Sequence, residues 1–173
     1  MQKLTIIRAT ANDVDEMYEL LMQHGPNQWN YLPEDGVAAE LENVVDGKAI
    51  ALLAELDSHI IGFAVTYPGY MRFPEHMHSD VVVEKVGYIG NVVVHKDYAG
   101  KGIGTILLEQ AKVALLERGV SEVHIDCHEE NLASRGMMKK AGFVKLALYS
   151  DPKRRSSGSR KSWVGRFTPS GSA

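Results

Sequence analysis

A run of valines, three closely spaced glycines and a helix-spaced apolar segment follow one another in the middle of this chain. The valines are Val92, Val93 and Val94, and the glycines are Gly100, Gly102 and Gly104. β-Branched residues favour a strand, whereas glycine allows a tight turn and a close approach of the backbone to a ligand. Apolar residues from Ile103 to Leu115 then recur at helical spacing, and Gly119 is a typical helix stop. The stretch predicts a buried strand, a glycine turn and an amphipathic helix.

The turn before this helix is an expected anion-binding site. The first helical turn carries unpaired N–H groups and a partial positive charge, and Lys101 adds a cation. Isolated glycine motifs also occur in connections that bind nothing, and that alternative stays open. No Lys-Ser/Thr pair follows the glycines, which argues against a P-loop. No acidic residue about 20 positions further on ends a second strand, which argues against a dinucleotide-binding fold.

Length and composition predict one domain of an ordinary globular type. The chain has 173 residues, of which 45% are hydrophobic and 24% are charged. We expect a single domain over residues 1–168 and a frayed tail over 169–173. A net charge of -3 argues against a nucleic-acid partner. The single cysteine, Cys127, excludes an internal disulfide and favours the cytoplasm, and no signal core or membrane span is visible.

Hydrophobic spacing and turn residues predict strands and helices along the whole chain. Expected strands cover residues 4–8, 49–56, 60–67, 85–95, 120–127, 143–150 and 162–168. Expected helices are one that ends at Gly25, one over 36–45, the helix after the glycine turn, and one over 131–141. Residues 81–83 support no assignment. Because a strand–helix–strand crossover joins parallel strands, the strands over 85–95 and 120–127 should run parallel.

A second motif lies in the helix expected over 131–141. Its members are Asn131, Ser134, Met137, Met138, Lys140, Gly142 and Phe143. Together with the glycine loop over residues 99–104, it resembles the GCN5-related N-acetyltransferase (GNAT) superfamily, and the resemblance covers residues 4–168. The resemblance implies an α/β fold with a mixed central sheet of about six to seven strands, helices on both faces and a splayed parallel strand pair. It also implies that residues 1–168 form one acetyltransferase domain.

The resemblance implies an enzyme that moves an acetyl group from acetyl-CoA to a primary amine, with a small molecule as the expected acceptor. A protein N-terminus or lysine is an alternative acceptor, and a non-catalytic acetyl-CoA-binding module is an alternative of another class. Acetyl-CoA is then a co-substrate, and homodimerisation is common in the family. No metal is expected, because Glu75, His76, His78 and Asp80 share a loop without a recognised ligand spacing.

The resemblance places cofactor contacts on three segments. Backbone groups of Val92, Val93 and Val94 are expected to pair with the pantetheine arm. The segment expected at the pyrophosphate comprises Ala99, Gly100, Lys101, Gly102, Ile103, Gly104 and Thr105. On the later helix the expected contacts are Asn131, Ser134 and Lys140, with Arg135 as a further candidate for the phosphates. A solvated helix face is the alternative interpretation of Lys140.

Three departures from the family pattern concern the loop and the proton transfers. Ala99 replaces the usual Arg or Gln, Met138 replaces a Tyr that protonates the departing thiolate, and Asn91 replaces a carboxylate base. A thioether has no proton to give. Glu84 on the same segment is therefore the candidate base, and direct attack with water carrying the proton away is the alternative. The other polar candidates, each more often structural, are Tyr67, Tyr88, His95, Cys127 and His128.

The acceptor pocket is expected between loops 27–35, 68–80 and the loop after Ser150. The first loop holds two aromatic and two acidic side chains, which would suit a cationic amine. They are Trp29, Tyr31, Glu34 and Asp35. Trp29, Tyr31 and Tyr67 are thus candidate substrate-binding residues, although aromatics in a loop more often plug the core. The basic run over residues 153–155 is expected to be a solvated hairpin tip.

Overall fold

The computed structural model describes residues 3–77 and 80–169, which contain one mixed seven-stranded sheet. The strands are β1 (Leu4–Arg8), β2 (Ile50–Leu56), β3 (His59–Pro68), β4 (Val86–Val94), β5 (Glu122–His128), β6 (Val144–Ser150) and β7 (Lys161–Phe167). The α-helices are α1 (Val14–His24), α2 (Glu34–Val45), α3 (Ile103–Glu117) and α4 (Leu132–Lys140). The strand order is β1-β2-β3-β4-β5-β7-β6. The predicted α/β fold class is confirmed.

The predicted elements are present, and their ends differ slightly from the expected positions. α2 begins at Glu34 instead of Gly36, because Pro33 is its N-cap residue and two carboxylates are favoured at the positive end of a helix. A 3₁₀ helix over Val83–Lys85 covers part of the segment for which the sequence supported no assignment. No helix among the described residues is long and apolar enough to cross a membrane.

Helices cover the two faces of the sheet and bury two separate cores. One core joins α1 and α2 to the sheet through Met17, Leu21, Val37, Leu41 and Phe63. The other joins α3 and α4 to the opposite face through Leu107, Leu115, Met138, Phe143 and Trp163. Each helix presents its apolar stripe to the strands, as the helical spacing predicted. The helices on both faces that the family resemblance implied are therefore present.

The parallel strands β4 and β5 pair only over their first residues. Their register partners are Val86 with Glu122, Gly87 with Val123 and Tyr88 with His124. Beyond the last pair, β4 runs on to Val94 and β5 to His128 without pairing to each other, while their outer edges stay bonded to β3 and β7. The facing edges therefore carry backbone donors and acceptors that the sheet does not satisfy. This is the splayed strand pair.

A β-bulge in β4 lies beside the point where the strands part. Ala64 of β3 pairs with Val92 and Thr66 pairs with Ile89, so β4 has one residue more than β3 in this interval. A bulge of this kind bends a strand and redirects its side chains. The extra length falls at Gly90 and Asn91, where β4 faces α2.

The apolar face of α3 provides a direct test of this packing. Leu107 is fully buried, whereas Ile106 on the same helix is 39% exposed. We expect Leu107→Ala to lower the free energy of unfolding by about 2–5 kcal/mol, because it removes buried methyl groups and leaves a cavity. Ile106→Ala should cost less than about 1 kcal/mol. Urea denaturation measures both, and equal losses for the two variants would contradict the described orientation of α3.

Candidate active site

A cavity of about 990 Å³ lies between the parted ends of β4 and β5. Residues 90–94 of β4 line one side, and residues 125–128 of β5 line the other. The three loops expected around the acceptor also contribute to its lining. Their contributions include Trp29, Tyr31, Tyr70, Arg72, Arg154 and Arg155. The cavity thus brings together the open strand edges and the loops that the sequence assigned to the acceptor.

Some of the predicted cofactor residues line this cavity, and others lie outside its lining. Those that line it are Val92, Val93, Val94, Asn131 and Ser134. The glycine loop over residues 99–105 and Lys140 are not among the lining residues, and Lys140 is exposed at the end of α4. The loop lies at the head of α3, where Gly102 caps the helix with a φ of 80°. A left-handed residue at this position favours glycine, and the first amides of α3 after it have no partner within the helix.

The start of α4 shows how the second motif is built. The side chain of Asn131 caps the helix, since its Oδ1 accepts a hydrogen bond of 3.2 Å from the amide of Ser134. The side-chain nitrogen of Asn131, Nδ2, remains able to donate to a ligand. Met138 is buried, lines the cavity and offers no proton. Arg135 donates from Nη1 to the carbonyl of Glu129 and lies over the ring of Trp163, and its contact with the phosphates stays a prediction.

Glu40 is a carboxylate in the cavity that sequence reasoning missed. It projects from α2 to the bulge of β4, where the hydroxyl of Tyr67 donates to Oε2 at 2.8 Å. The side-chain amide of Asn91 donates to Oε1, also at 2.8 Å. A Cβ atom added at Gly90 would lie 2.6 Å from Oε2 of Glu40, so only glycine lets the carboxylate approach the strand this closely. Asn91 therefore holds a carboxylate where the family resemblance had implied one.

The environment of Glu40 favours its protonated form. Burial raises the pKa of this carboxyl above its ordinary value, although the hydrogen bonds from Asn91 and Tyr67 oppose the shift. A carboxyl with a raised pKa in a cavity is a candidate proton acceptor. No sequence signal distinguishes Glu40 from Glu42 two residues later, because its burial depends on contacts with strands far along the chain.

The structure does not support the other candidate bases. Glu84, the residue suggested by the sequence, is exposed in the 3₁₀ helix before β4 and is absent from the cavity lining. His128 donates from Nε2 to the carbonyl of Ser157 at 2.7 Å and accepts at Nδ1 from the amide of Glu130. Because both nitrogens are occupied, its role is structural.

Three of the four remaining candidates are also held by their surroundings. His95 accepts at Nδ1 from the amide of Asp97, and the centroid of its ring lies 3.9 Å from that of the His24 ring. Burial raises the pKa of Cys127 to about 12, so its thiol is not ionised near neutral pH. The hydroxyl of Tyr88 donates to Oδ1 of Asp126 at 2.6 Å. Tyr67, the fourth, is the candidate that contacts Glu40.

The prediction that residues 153–155 form a solvated tip is wrong for the two arginines. Arg154 and Arg155 lie 2.7 Å and 3.0 Å from Oδ2 of Asp126, whose side chain is 2% exposed. Burial opposes ionisation of Asp126, but the two guanidinium charges outweigh it and hold its pKa below the ordinary value. No local pattern indicated this cluster, because a helix and a strand separate Asp126 from the two arginines along the chain.

Of the aromatic and acidic side chains expected in the acceptor pocket, only the aromatic ones line the cavity. Trp29 and Tyr31 line the cavity, and Tyr31 is 68% exposed, so it does not plug the core. The acidic pair, Glu34 and Asp35, is in the first turn of α2 and outside the lining. The charged side chains that do line the cavity are Glu40, Lys48, Arg72, Asp126, Lys153, Arg154 and Arg155. The lining is therefore more basic than acidic.

The loop with Glu75, His76, His78 and Asp80 is not expected to bind a metal, because its residues lack a recognised ligand spacing. His78 lies outside the described residues. Among residues 3–77 and 80–169, no group of three or more His, Cys, Asp or Glu side chains is arranged to hold a metal ion.

Comparison with known proteins gives one family. The model of the acetyltransferase (GNAT) family matches residues 14–143. An N-alpha-acetyltransferase of Sulfurisphaera tokodaii is 24% identical over 144 residues, which cover 83% of this chain and 81% of that protein. The N-alpha-acetyltransferase MAK3 of Arabidopsis thaliana is 34% identical over 59 residues, which cover 34% of this chain and 31% of that protein.

Solved structures share the fold over nearly the whole chain. The protein yncA of Salmonella typhimurium, solved with its cofactor acetyl-CoA, matches with a TM-score of 0.75 and 19% identity, over 99% of this chain and 96% of that one. The ribosomal-protein-S18-alanine N-acetyltransferase of Escherichia coli matches with a TM-score of 0.73 and 17% identity, over 99% and 97% of the two chains.

The buried Asp126 cluster predicts a pH-dependent stability. The folded-state pKa of Asp126 is lowered, so its ionised form stabilises the fold above the ordinary value of 3.8, and this contribution is lost as the pH falls through the lowered value. Asp126→Asn should cost about 3–5 kcal/mol at pH 7, because it removes the carboxylate that both guanidinium groups share and leaves the buried Arg155 without a counter-ion. The difference from wild type should narrow below about pH 4.

Urea denaturation across this pH range measures the effect. Asp97→Asn is the matched control, because the Asp97 side chain is 84% exposed in a pair with His95. The control should change the free energy of unfolding by less than about 1 kcal/mol. A loss for Asp126→Asn as small as that of the control would contradict the described cluster.

Proposed function

Because the chain belongs to the acetyltransferase (GNAT) family, we propose that this acetyltransferase moves an acetyl group from acetyl-CoA to the primary amine of a small molecule. The observation that carries the proposal is the position of the Glu40 carboxylate. It is buried at the β4 bulge and lines the cavity that opens onto the free edge of β4. A proton acceptor beside an unpaired strand edge is what amine acylation requires.

The residues around the strand opening fit an acetyl-CoA molecule. Residues 92–94 of β4 have an edge that no strand of the described chain pairs, so the amide groups of the pantetheine arm can bond there. Asn131 keeps a donor for the same arm. The unpartnered amides at the head of α3, with Gly102 in its left-handed conformation, suit the pyrophosphate. The related fold of yncA was solved with acetyl-CoA, which supports this choice of donor.

The bound donor supplies an acetyl thioester, and the chain's own groups prepare the amine. An ammonium has no lone pair, so the acceptor must lose a proton before it attacks. Glu40, held by Tyr67 and Asn91, accepts that proton, either directly or through one water. An amide of β4 next to the bulge polarises the thioester carbonyl. After the attack the nitrogen must lose one more proton. Because Met138 cannot protonate the departing sulfur, we propose that a water molecule carries this proton from the nitrogen to the sulfur.

Two loops that line the cavity on its acceptor side are joined to each other, and we infer from this link that the acceptor is small. The hydroxyl of Ser157, between β6 and β7, donates to the carbonyl of Gln28, between α1 and α2. The carbonyl of Ser157 in turn accepts from His128. We expect two loops that are tied together to leave less room for a polypeptide N-terminus than two separate loops would. A protein acceptor is the second candidate, because two relatives are named N-alpha-acetyltransferases.

Release of CoA tests the function directly. Purified protein is given acetyl-CoA with a panel of small primary amines and, separately, with short peptides that have free N-termini. We expect CoA release above the hydrolysis rate with small amines and little with peptides. Turnover of peptides alone would favour the second candidate. Tight acetyl-CoA binding without any turnover would indicate a non-catalytic binding module.

Replacement of Glu40 tests the proposed base. We expect Glu40→Gln to lower kcat/KM by about 100-fold or more, because the amide keeps the size of the side chain but cannot accept a proton. Glu42→Gln on the exposed side of the same helix is the control and should leave kcat/KM within about twofold. Acetyl-CoA affinity, measured by calorimetry, should be the same in all three proteins.

The pH profile of kcat/KM tests the same residue independently. Glu40 must be ionised to accept a proton, and its pKa lies above the ordinary glutamate value. The rate should therefore fall as the pH drops through this raised pKa, and Glu40→Gln should lack that acid limb. An unchanged acid limb in the variant would assign the titration to another group.

Thr105 tests where the pyrophosphate binds. We expect Thr105→Asp to weaken acetyl-CoA binding at least tenfold, because the carboxylate repels the pyrophosphate at the head of α3. Thr105→Asn is the matched control, since it has the same shape without the charge, and it should bind nearly as well as wild type. Equal affinity of the two variants in calorimetry would place the pyrophosphate elsewhere.

A further inference from the structure

Cations outnumber carboxylates on the acceptor side of the cavity. Glu40 lies at the β4 bulge, while Arg72 and Arg154 enter from the loops after β3 and β6. The charge at the two ends therefore differs in sign. A cavity of this kind suits a ligand that carries charges of both signs.

Arg154 and Arg155 are neutralised within the protein. Both contact Asp126, and Arg154 also lies 3.3 Å from Oδ2 of Asp151. Arg155 donates from Nε to the hydroxyl of Ser162 at 2.8 Å. Two carboxylates thus balance two guanidinium groups, and this cluster needs no further anion.

Arg72 is a cavity-lining arginine outside this neutralised cluster. Its side chain is half-buried beside Tyr70, Tyr88 and Arg154, and it lines the cavity. It forms no salt bridge with any acidic side chain in the described part of the chain. Removing a guanidinium from water without a counter-ion costs free energy. An anion bound in the cavity would recover that cost.

A row of tyrosines joins the two ends of the cavity. Tyr67 and Tyr88 are register partners on β3 and β4, with ring centroids 6.3 Å apart. The first donates to Glu40 and the second to Asp126, and Asp126 holds Arg154. Glu40 and the Asp126 cluster are thus both tied to adjacent strands. A small molecule that lies along the two rings would meet Glu40 at one end and Arg72, which lies beside Tyr88, at the other.

We infer that the acceptor is an amino acid, with its amine at Glu40 and its carboxylate bound by the guanidinium of Arg72. The planar fork of arginine fits a carboxylate through two parallel hydrogen bonds, which a lysine cannot form. The inference rests on the proposed function and adds a specificity-determining residue to it. It separates a free amino acid from a protein N-terminus, whose first residue has no free carboxylate.

Matched acceptor pairs test the inference. CoA release is measured with the twenty common amino acids, β-alanine and γ-aminobutyrate, each beside its carboxamide. The amide keeps the amine but lacks the anion, and its amine is the less basic of the two, so this bias works against the expected result. For at least one pair we expect kcat/KM to be ten times higher for the acid. Taurine and 2-aminoethylphosphonate, compared with β-alanine, show whether another oxyanion is preferred.

Variants of Arg72 assign the preference to this residue. Arg72→Gln should raise KM for the preferred acid at least tenfold, change KM for its amide less than twofold, and leave acetyl-CoA affinity unchanged. The KM of Arg72→Lys for the preferred acid should lie between those of Arg72→Gln and wild type. Arg118→Gln, the same change at the exposed end of α3, is the control. Thermal unfolding verifies that each variant is folded.

The possible failures are distinguishable. Three outcomes would overturn the inference and leave the acetyltransferase proposal intact. The first is a kcat/KM of the wild type for amides that equals or exceeds that for acids, and the second is a preference for the sulfonate or the phosphonate. The third is an equal rise in KM for acid and amide in Arg72→Gln. Failure to bind acetyl-CoA would overturn the proposed function. Binding without turnover of any free amine would overturn both.

Discussion

The separation of β4 from β5 after Tyr88 and His124 is the constraint on which the site depends. A parallel pair joined by a crossover helix must begin side by side, but here a bulge bends β4 away after the first pairs. The result is a buried strand with one edge free, which costs free energy unless a ligand pairs with it. The cavity and the head of α4 lie along this opening.

Two buried carboxylates beside the opening differ in ionisation because their partners differ. Neutral donors, Tyr67 and Asn91, surround Glu40, and burial dominates, so its pKa is raised. Two guanidinium groups surround Asp126, and their charge dominates, so its pKa is lowered. Similar burial thus yields one group that can exchange a proton and another that stays charged and holds two loops in place.

The sequence predicted the parts of this design that depend on local spacing. The strand, glycine turn and helix around Gly102 follow from short-range patterns, and so do the order of elements and the family. Glu40 and the Asp126 cluster could not be predicted in this way, because each depends on residues brought together by strand pairing. Glu40 on α2 bonds to Asn91 on β4, 51 residues later in the chain. Asp126 on β5 bonds to Arg155 in the loop after β6. A surface carboxylate and a buried one look alike until the sheet is assembled.

The contact between Ser157 and Gln28 also bears on the mobility of the loops beside the cavity. One hydrogen bond between exposed loops contributes only about 0.5–1.5 kcal/mol, so ordinary thermal motion breaks it readily. The two loops can therefore part by the swing of one hydroxyl, without disturbance of the sheet. Tyr67 and Tyr88, by contrast, lie on adjacent paired strands, so the cavity has one rigid side and one side that can adapt.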